Sequence, residues 1–225
     1  MCAVVCVTGA CAQPQSISVR NAEELITLKR GTLTKGVDLF LLIDESGSMY
    51  GEKGTDPQGL RYEAGKYLVQ NLLVKEADPA FPHRIALVHF GDSATSHPFV
   101  DLLPANAAEL AKRIPHTGKH LGDTSFIEAL RAVKKVAEPA SPSQNKRDRI
   151  VVIFTDGEPD DKRHLALKEY FQEIKRFRQE HLQEVKFYVV GIDKTLDHVR
   201  WLRSQKLWEE EVGKDNVFFI RHYPK

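Results

Sequence analysis

VDLFLLIDESGSM, Val37 to Met49, joins an apolar run of strand length to a turn crowded with side-chain oxygens. Val37 to Asp44 is a nearly continuous apolar stretch rather than an alternating one, the pattern of a parallel strand covered on both faces. It ends in aspartate. RIVVIFTD (Arg149 to Asp156) repeats the pattern and the ending, HRIALVHF (His83 to Phe90) and VKFYVVGID (Val185 to Asp193) read the same way, and NVFFI (Asn216 to Ile220) fits a last strand.

Helical stripes separate these runs. Leu60, Ala64, Leu68 and Leu72 recur every fourth residue, after an Asp56-Pro57 pair suited to N-cap and first-turn positions and before a stop at Asp78-Pro79. Phe126, Leu130, Val133 and Ala137 form a second stripe. Leu167, Phe171, Ile174 and the alkyl stem of Arg178 form a third, and a weaker helix is expected over Leu196 to Glu211. HPFVDLL (His97 to Leu103) follows its preceding strand too closely for a helical crossover and reads as an antiparallel edge strand, reached by a hairpin through GDSATS. EPASPSQNKRD (Glu138 to Asp148) reads as a surface loop. Strands alternating with helices predict an α/β fold: a Rossmann-like, doubly wound, mostly parallel sheet with right-handed crossovers and helices on both faces. A ligand site is then expected beyond the carboxyl ends of the strands where their order reverses, near Asp44, with Asp156 beside it.

The chain has 225 residues, 42% hydrophobic and 28% charged, which suits one α/β domain or two small ones. With 32 basic and 31 acidic side chains, no overall field favours nucleic acid or an anionic membrane, so function must be local. No apolar run is long enough to span a bilayer. The first residues are small, apolar and uncharged, and Ala10-Cys11-Ala12 has the A-x-A form of a signal-peptidase site. Export is therefore the expectation, to a periplasmic, extracellular or cell-surface location, and the cytoplasm if this segment is not a signal. Cys2, Cys6 and Cys11 are the only cysteines, so a processed chain has neither a disulfide framework nor a thiolate metal site. The expected divisions are a signal or remnant over 1–12, a polar lead over 13–34, the domain over 35–222 and a tail over 223–225.

Three segments converge on the expected crevice: Asp44, Ser46 and Ser48 from DESGS, Thr124 at a helix start, and Asp156 from FTDG. Two carboxylates and three hydroxyls are hard donors suited to Mg²⁺ or Mn²⁺ and poorly suited to Zn²⁺ or Cu²⁺. The D-x-S-x-S spacing lets a loop leaving a strand curl about an ion, and Gly47 permits a tight backbone there. Five oxygens leave one face open, which a partner's carboxylate would naturally fill. Asp123 or Thr124 can instead be read as simply capping the following helix, with Ser125 able to exchange roles with Thr124.

Asp44-Glu45-Ser46-Gly47-Ser48 at a strand end, Thr124 before a helix containing EAL, and Asp156-Gly157 after VVIFT together resemble the von Willebrand factor type A domain and its metal-ion-dependent adhesion site. The resemblance covers about Lys35 to His222, with the motifs in the family's order. It implies a Rossmann-like sheet with one antiparallel edge strand and one divalent ion per domain, Mg²⁺ or else Mn²⁺ or Ca²⁺. It further implies that Ser46, Ser48 and Thr124 approach the ion directly, that Asp44 and Asp156 do so directly or through water, and that an Asp or Glu of a protein ligand completes the coordination. A monomer without catalytic residues is expected.

Other readings of these residues are weaker. A phosphotransferase of the haloacid dehalogenase type would use Asp44 as nucleophile and Asp160 and Asp161 as a later acidic pair, but Ser46 holds the place of its second aspartate, the proton donor. SGS is not a serine-hydrolase elbow. His116 and His120 lack a third ligand for zinc and read as a solvated loop. Asp92 and Asp160 read as surface acids at the rim. Lys168, Lys175, Arg176 and Arg178 alternate with Glu169, Glu173 and Glu180 as on a solvated face, and Trp201 and Trp208 read as packing residues.

Overall fold

The computed structural model describes residues 36–74, 82–115, 118, 120–137, 147–160, 165–193 and 199–221. The segment read as an export signal and all of the polar lead lie outside these residues, as do the expected helix stop at Asp78-Pro79, most of the 138–148 loop, His116 and Asp161.

The apolar runs form the expected strands. They are β1 (Val37–Asp44), β2 (Arg84–Phe90), β5 (Asp148–Thr155), β6 (Val185–Asp193) and β7 (Val217–Arg221), with two short strands, β3 (Ala94–Ser96) and β4 (Val100–Asp101), after β2. The seven-stranded sheet has the order β3-β2-β1-β5-β6-β7, with β4 also on β2. Every pairing from β2 to β7 is parallel, and β3 and β4 run antiparallel to β2. This is the doubly wound sheet with an antiparallel edge, although the edge begins earlier than His97 and is split. His97-Pro98-Phe99 interrupts it because proline has no N–H to give to the ladder.

Helices α1 (Leu60–Val74), α3 (Phe126–Ala137), α4 (Leu167–His181) and α5 (Val199–Val212) match the four stripes. The short α2 (Ala107–Arg113) has no counterpart in the sequence reading: with one buried residue, Leu110, its apolar stripe is too thin to stand out. The start of α1 also differs. Pro57 lies in a turn ahead of the helix, and Asp56 reaches forward, accepting from Leu60 N at 2.7 Å and Arg61 N at 3.0 Å.

Period-two alternation in β1 divides the core. Phe40 and Leu42 pack with α3, α4 and α5, while Leu39, Leu41 and Ile43 pack with α1 and α2. Buried on both faces, β1 lies between β2 and β5, the point at which the strand order reverses. Ile43 is level with Phe154, so Asp44 leaves the sheet beside Thr155 and Asp156.

Candidate metal centre

Strand ends and short loops build the site. After β1 the chain makes a single 3-10 turn, Gly47–Met49, and places the Ser46 and Ser48 hydroxyls 3.1 Å apart. Ser46 N donates to Asp44 Oδ1 at 2.9 Å, which fixes the first carboxylate against its own loop. Gly47 does not use the freedom expected of it. It is absent from the positive-φ glycines, and a Cβ there would meet the His120 ring at an ordinary 3.5 Å.

Backbone bonds lace the remaining loops to this turn. Gly47 N donates to Gly122 O at 2.7 Å, and Ser125 N donates to Gly91 O at 3.0 Å. Thr124 and Asp160 exchange a pair of bonds, Thr124 N to Asp160 O at 2.6 Å and Asp160 N to Thr124 O at 3.0 Å. Thr124 is thus held between the β1 turn and the loop that follows Asp156, and it is buried. Asp44, Ser46, Thr124 and Asp156 are all buried, and Ser48 is half-buried.

Sequence reasoning missed two threonines here. Thr155 Oγ1 donates to Asp44 Oδ2 at 2.6 Å, and Thr55 Oγ1 donates to Asp156 Oδ2 at 3.2 Å. Thr155 could have been found as the residue between a buried strand and its terminal acid. Thr55 lies 101 residues from Asp156 and carries no local signal.

Asp44 meets hydroxyls and a backbone amide, and the charge acting on it is of its own sign. Burial pushes its carboxyl up to about 7, and Asp156 adds to the rise, against the opposing bonds from Ser46 and Thr155. Two buried carboxylates ringed by hydroxyls form a hard-oxygen donor set that favours a divalent cation, so the residues fit such an ion. Among the described residues no group of three or more His, Cys, Asp or Glu could hold a metal, so hydroxyls are needed to complete any site here.

The other candidates take different places. Glu45, at the variable position of the motif, is buried and directs its carboxylate to His89, Tyr50, Arg61 and Tyr62 rather than to the Asp44 cluster. Asp92 accepts from Asp123 N at 3.0 Å and stitches the rim, and Asp160 contributes its backbone while its side chain is exposed. His120 is exposed against the β1 turn. Trp201 and Trp208 are buried, as expected of packing residues, and Trp208 Nε1 donates to Gly157 O at 3.3 Å.

The family model for the von Willebrand factor type A domain matches residues 38–214. No curated protein matches the chain by sequence. Among solved structures, manganese-loaded TRAP protein from Plasmodium vivax is similar with a TM-score of 0.57 at 19% identity, covering 84% of this chain and 70% of that one. BatB from Bacteroides thetaiotaomicron gives 0.51 at 15% identity, over 84% and 92%. Proximal thread matrix protein 1 of the mussel byssus, with a zinc-occupied MIDAS motif, gives 0.54 at 16% identity, over 83% and 42%. At these identities the likeness is one of fold.

Proposed function

Because the chain belongs to the von Willebrand factor type A domain family, we propose that it is a divalent-cation-dependent protein-binding domain, without catalytic activity, completed by a partner's carboxylate. One observation carries this reading: Asp44 and Asp156 lie buried side by side at the switch point of the sheet, and hydroxyls rather than a basic side chain face Asp44. Asp44, Ser46, Ser48, Thr124 and Asp156 would hold the ion. Bound there, Mg²⁺, or else Mn²⁺ or Ca²⁺, supplies a Lewis-acidic position for an acidic side chain of another protein. The manganese in TRAP and the zinc in the mussel protein support a divalent ion in a site of this kind.

The chain's own residues do the rest. Thr155 and the Ser46 amide orient Asp44, Thr55 orients Asp156, and the paired serine hydroxyls keep the turn closed. Ser46 is a neutral hydroxyl where a phosphotransferase of the haloacid dehalogenase type needs its acid, so the site is suited to holding a ligand rather than transferring a group. The domain is taken as 35–222 and as a monomer. No described helix is long and apolar enough to cross a membrane. Export is part of the same reading and rests on Ala10-Cys11-Ala12.

Titration calorimetry tests the proposal. The expected result is one Mn²⁺ or Mg²⁺ per chain, lost in Asp44→Ala and in Asp156→Ala while both variants keep their cooperative melting. Absence of heat at millimolar metal in the wild type overturns the proposal. So does a covalent beryllofluoride mark on Asp44, which would make that residue a phosphoryl acceptor.

A further inference from the structure

Glu45 stands between two of the residues assigned to the metal, yet its carboxylate serves a different cluster. His89 Nδ1 donates to its Oε1 at 2.9 Å. Its Oε2 accepts from Tyr50 OH at 2.5 Å, Tyr62 OH at 2.7 Å and Arg61 Nη2 at 3.1 Å. Burial alone would raise the Glu45 carboxyl, but the bonds from His89 and Tyr50, the charge of Arg61 and the bond from Tyr62 outweigh it and hold the group below its usual range.

Arg61 is itself buried, with its guanidinium 4.8 Å from the Tyr50 ring centre and 4.2 Å from that of Tyr62. Its second arm donates to Asp56 Oδ2 at 2.8 Å. The next residue back, Thr55, gives its N–H to Ser48 O at 2.8 Å, and its hydroxyl lies 3.2 Å from both Ser48 O and Asp156 Oδ2, between the turn and the second carboxylate. A continuous path results: from Asp44 to its neighbour Glu45, across to Arg61, to Asp56, back along the chain to Thr55, and across to Asp156. Both carboxylates of the crevice are therefore tied to one buried guanidinium.

A buried ion pair is a poor way to add stability, since an apolar cluster of equal volume commonly does as well. What charge-assisted bonds from several elements do supply is fixed geometry, and partners one shell beyond a metal's ligands are known to set its affinity. We propose that Glu45, clamped by Arg61, is a positioning residue that fixes the Asp44–Ser48 turn and, through Asp56 and Thr55, its spacing from Asp156. Arg61 thereby governs cation affinity from outside the coordination sphere. The inference rests on the reading of Asp44 and Asp156 as cation-binding groups.

An internal control separates positioning from general support of the fold. The buried Asp38 and the half-buried Arg84 form another ion pair, bidentate at 2.8 and 2.7 Å, at the opposite end of β1 and β2. Mn²⁺ calorimetry, with melting curves in chelator, is to be run on the full chain as wild type, Glu45→Gln, Tyr62→Phe and Asp38→Asn. Glu45→Gln should weaken Mn²⁺ binding roughly tenfold or more. Tyr62→Phe, which deletes one hydroxyl, should weaken it by a smaller factor with little change in melting, and it decides the matter alone if Glu45→Gln does not fold. Asp38→Asn should lower the melting temperature yet keep Mn²⁺ affinity within about twofold, as distant sites do not couple. Unchanged affinity in Glu45→Gln and Tyr62→Phe, or an equal loss in Asp38→Asn, overturns the inference while the metal site stands. A wild type that binds no Mn²⁺ overturns the metal site and the inference together.

Discussion

Asp44 spends its fold-stabilising contacts against its own burial. Its carboxyl goes from 3.8 in an unfolded chain to about 7 in the fold, because burial and Asp156 both disfavour the charge. The folded state then holds the proton over a pH range in which the unfolded state has lost it. By linkage this contribution to stability is full below about 4 and is lost as pH rises through about 7, the reverse of an ordinary salt-bridged aspartate. In chelator, urea melts at a series of pH values should show wild type losing stability across this window relative to Asp44→Asn, whose side chain does not titrate. Cation affinity should move the other way, falling as pH drops below about 7 and protons compete for the group.

Gly157 gives a second prediction at this scale. Its φ is 92°, and a Cβ would come within 2.5 Å of Trp201 and 2.6 Å of Ser204 Oγ. Gly157→Ala should cost at least about 1–2 kcal/mol in urea unfolding, from the left-handed backbone alone, and should also displace Asp156 and weaken Mn²⁺ binding. Single residues were the least legible part of the sequence. The oxygen cluster was readable because its members are local or end a strand, whereas Thr55 and the partners of Glu45 belong to the site only through chain crossings that no spacing encodes.

Among the elements, α5 carries a function that its weak stripe concealed. Trp208 packs edge-on against Phe126 and Phe171, with ring centres 5.0 and 4.8 Å away, and its indole N–H holds the Gly157 carbonyl. Trp208→Ala should lower unfolding free energy by about 3–5 kcal/mol, the usual cost of a large core cavity. Because Gly157 follows Asp156, the same variant should bind Mn²⁺ more weakly, whereas Trp208→Phe should recover most of the packing but not the hydrogen bond. Strands and long helices were legible because periodicity and length are strong signals. The antiparallel edge was legible but its start and its split were not, because β3 and β4 are only three and two residues long, too short to show a period.

For the whole molecule, a ligand that binds only the folded state raises its stability by mass action. At a hundredfold excess over Kd the gain is about 2.7 kcal/mol, which for a domain of this size is roughly 5–10 °C in melting temperature. Differential scanning calorimetry with Mn²⁺, then with excess chelator, should show the rise and its reversal, and Asp156→Ala should show neither. The doubly wound, mostly parallel architecture was legible from alternation, since parallel strands need crossovers and right-handed crossovers leave few topologies, whereas the strand order itself was not.

The direction of β1 also decides which way the domain faces when it is held by something else. Val37 and Asp44 lie at opposite ends of the strand, roughly 23 Å apart at about 3.3 Å per residue. A tether running back from Val37 departs from the far side of the sheet and presents the crevice outward, into the medium. The parallel β7 ends with Arg221 level with Asp193, at the crevice side, so a tether running on from Arg221 turns the same crevice toward whatever surface holds it. Attachment made directly at Val37 or directly at Arg221 therefore selects between an open and a shielded binding face with no change in the domain itself.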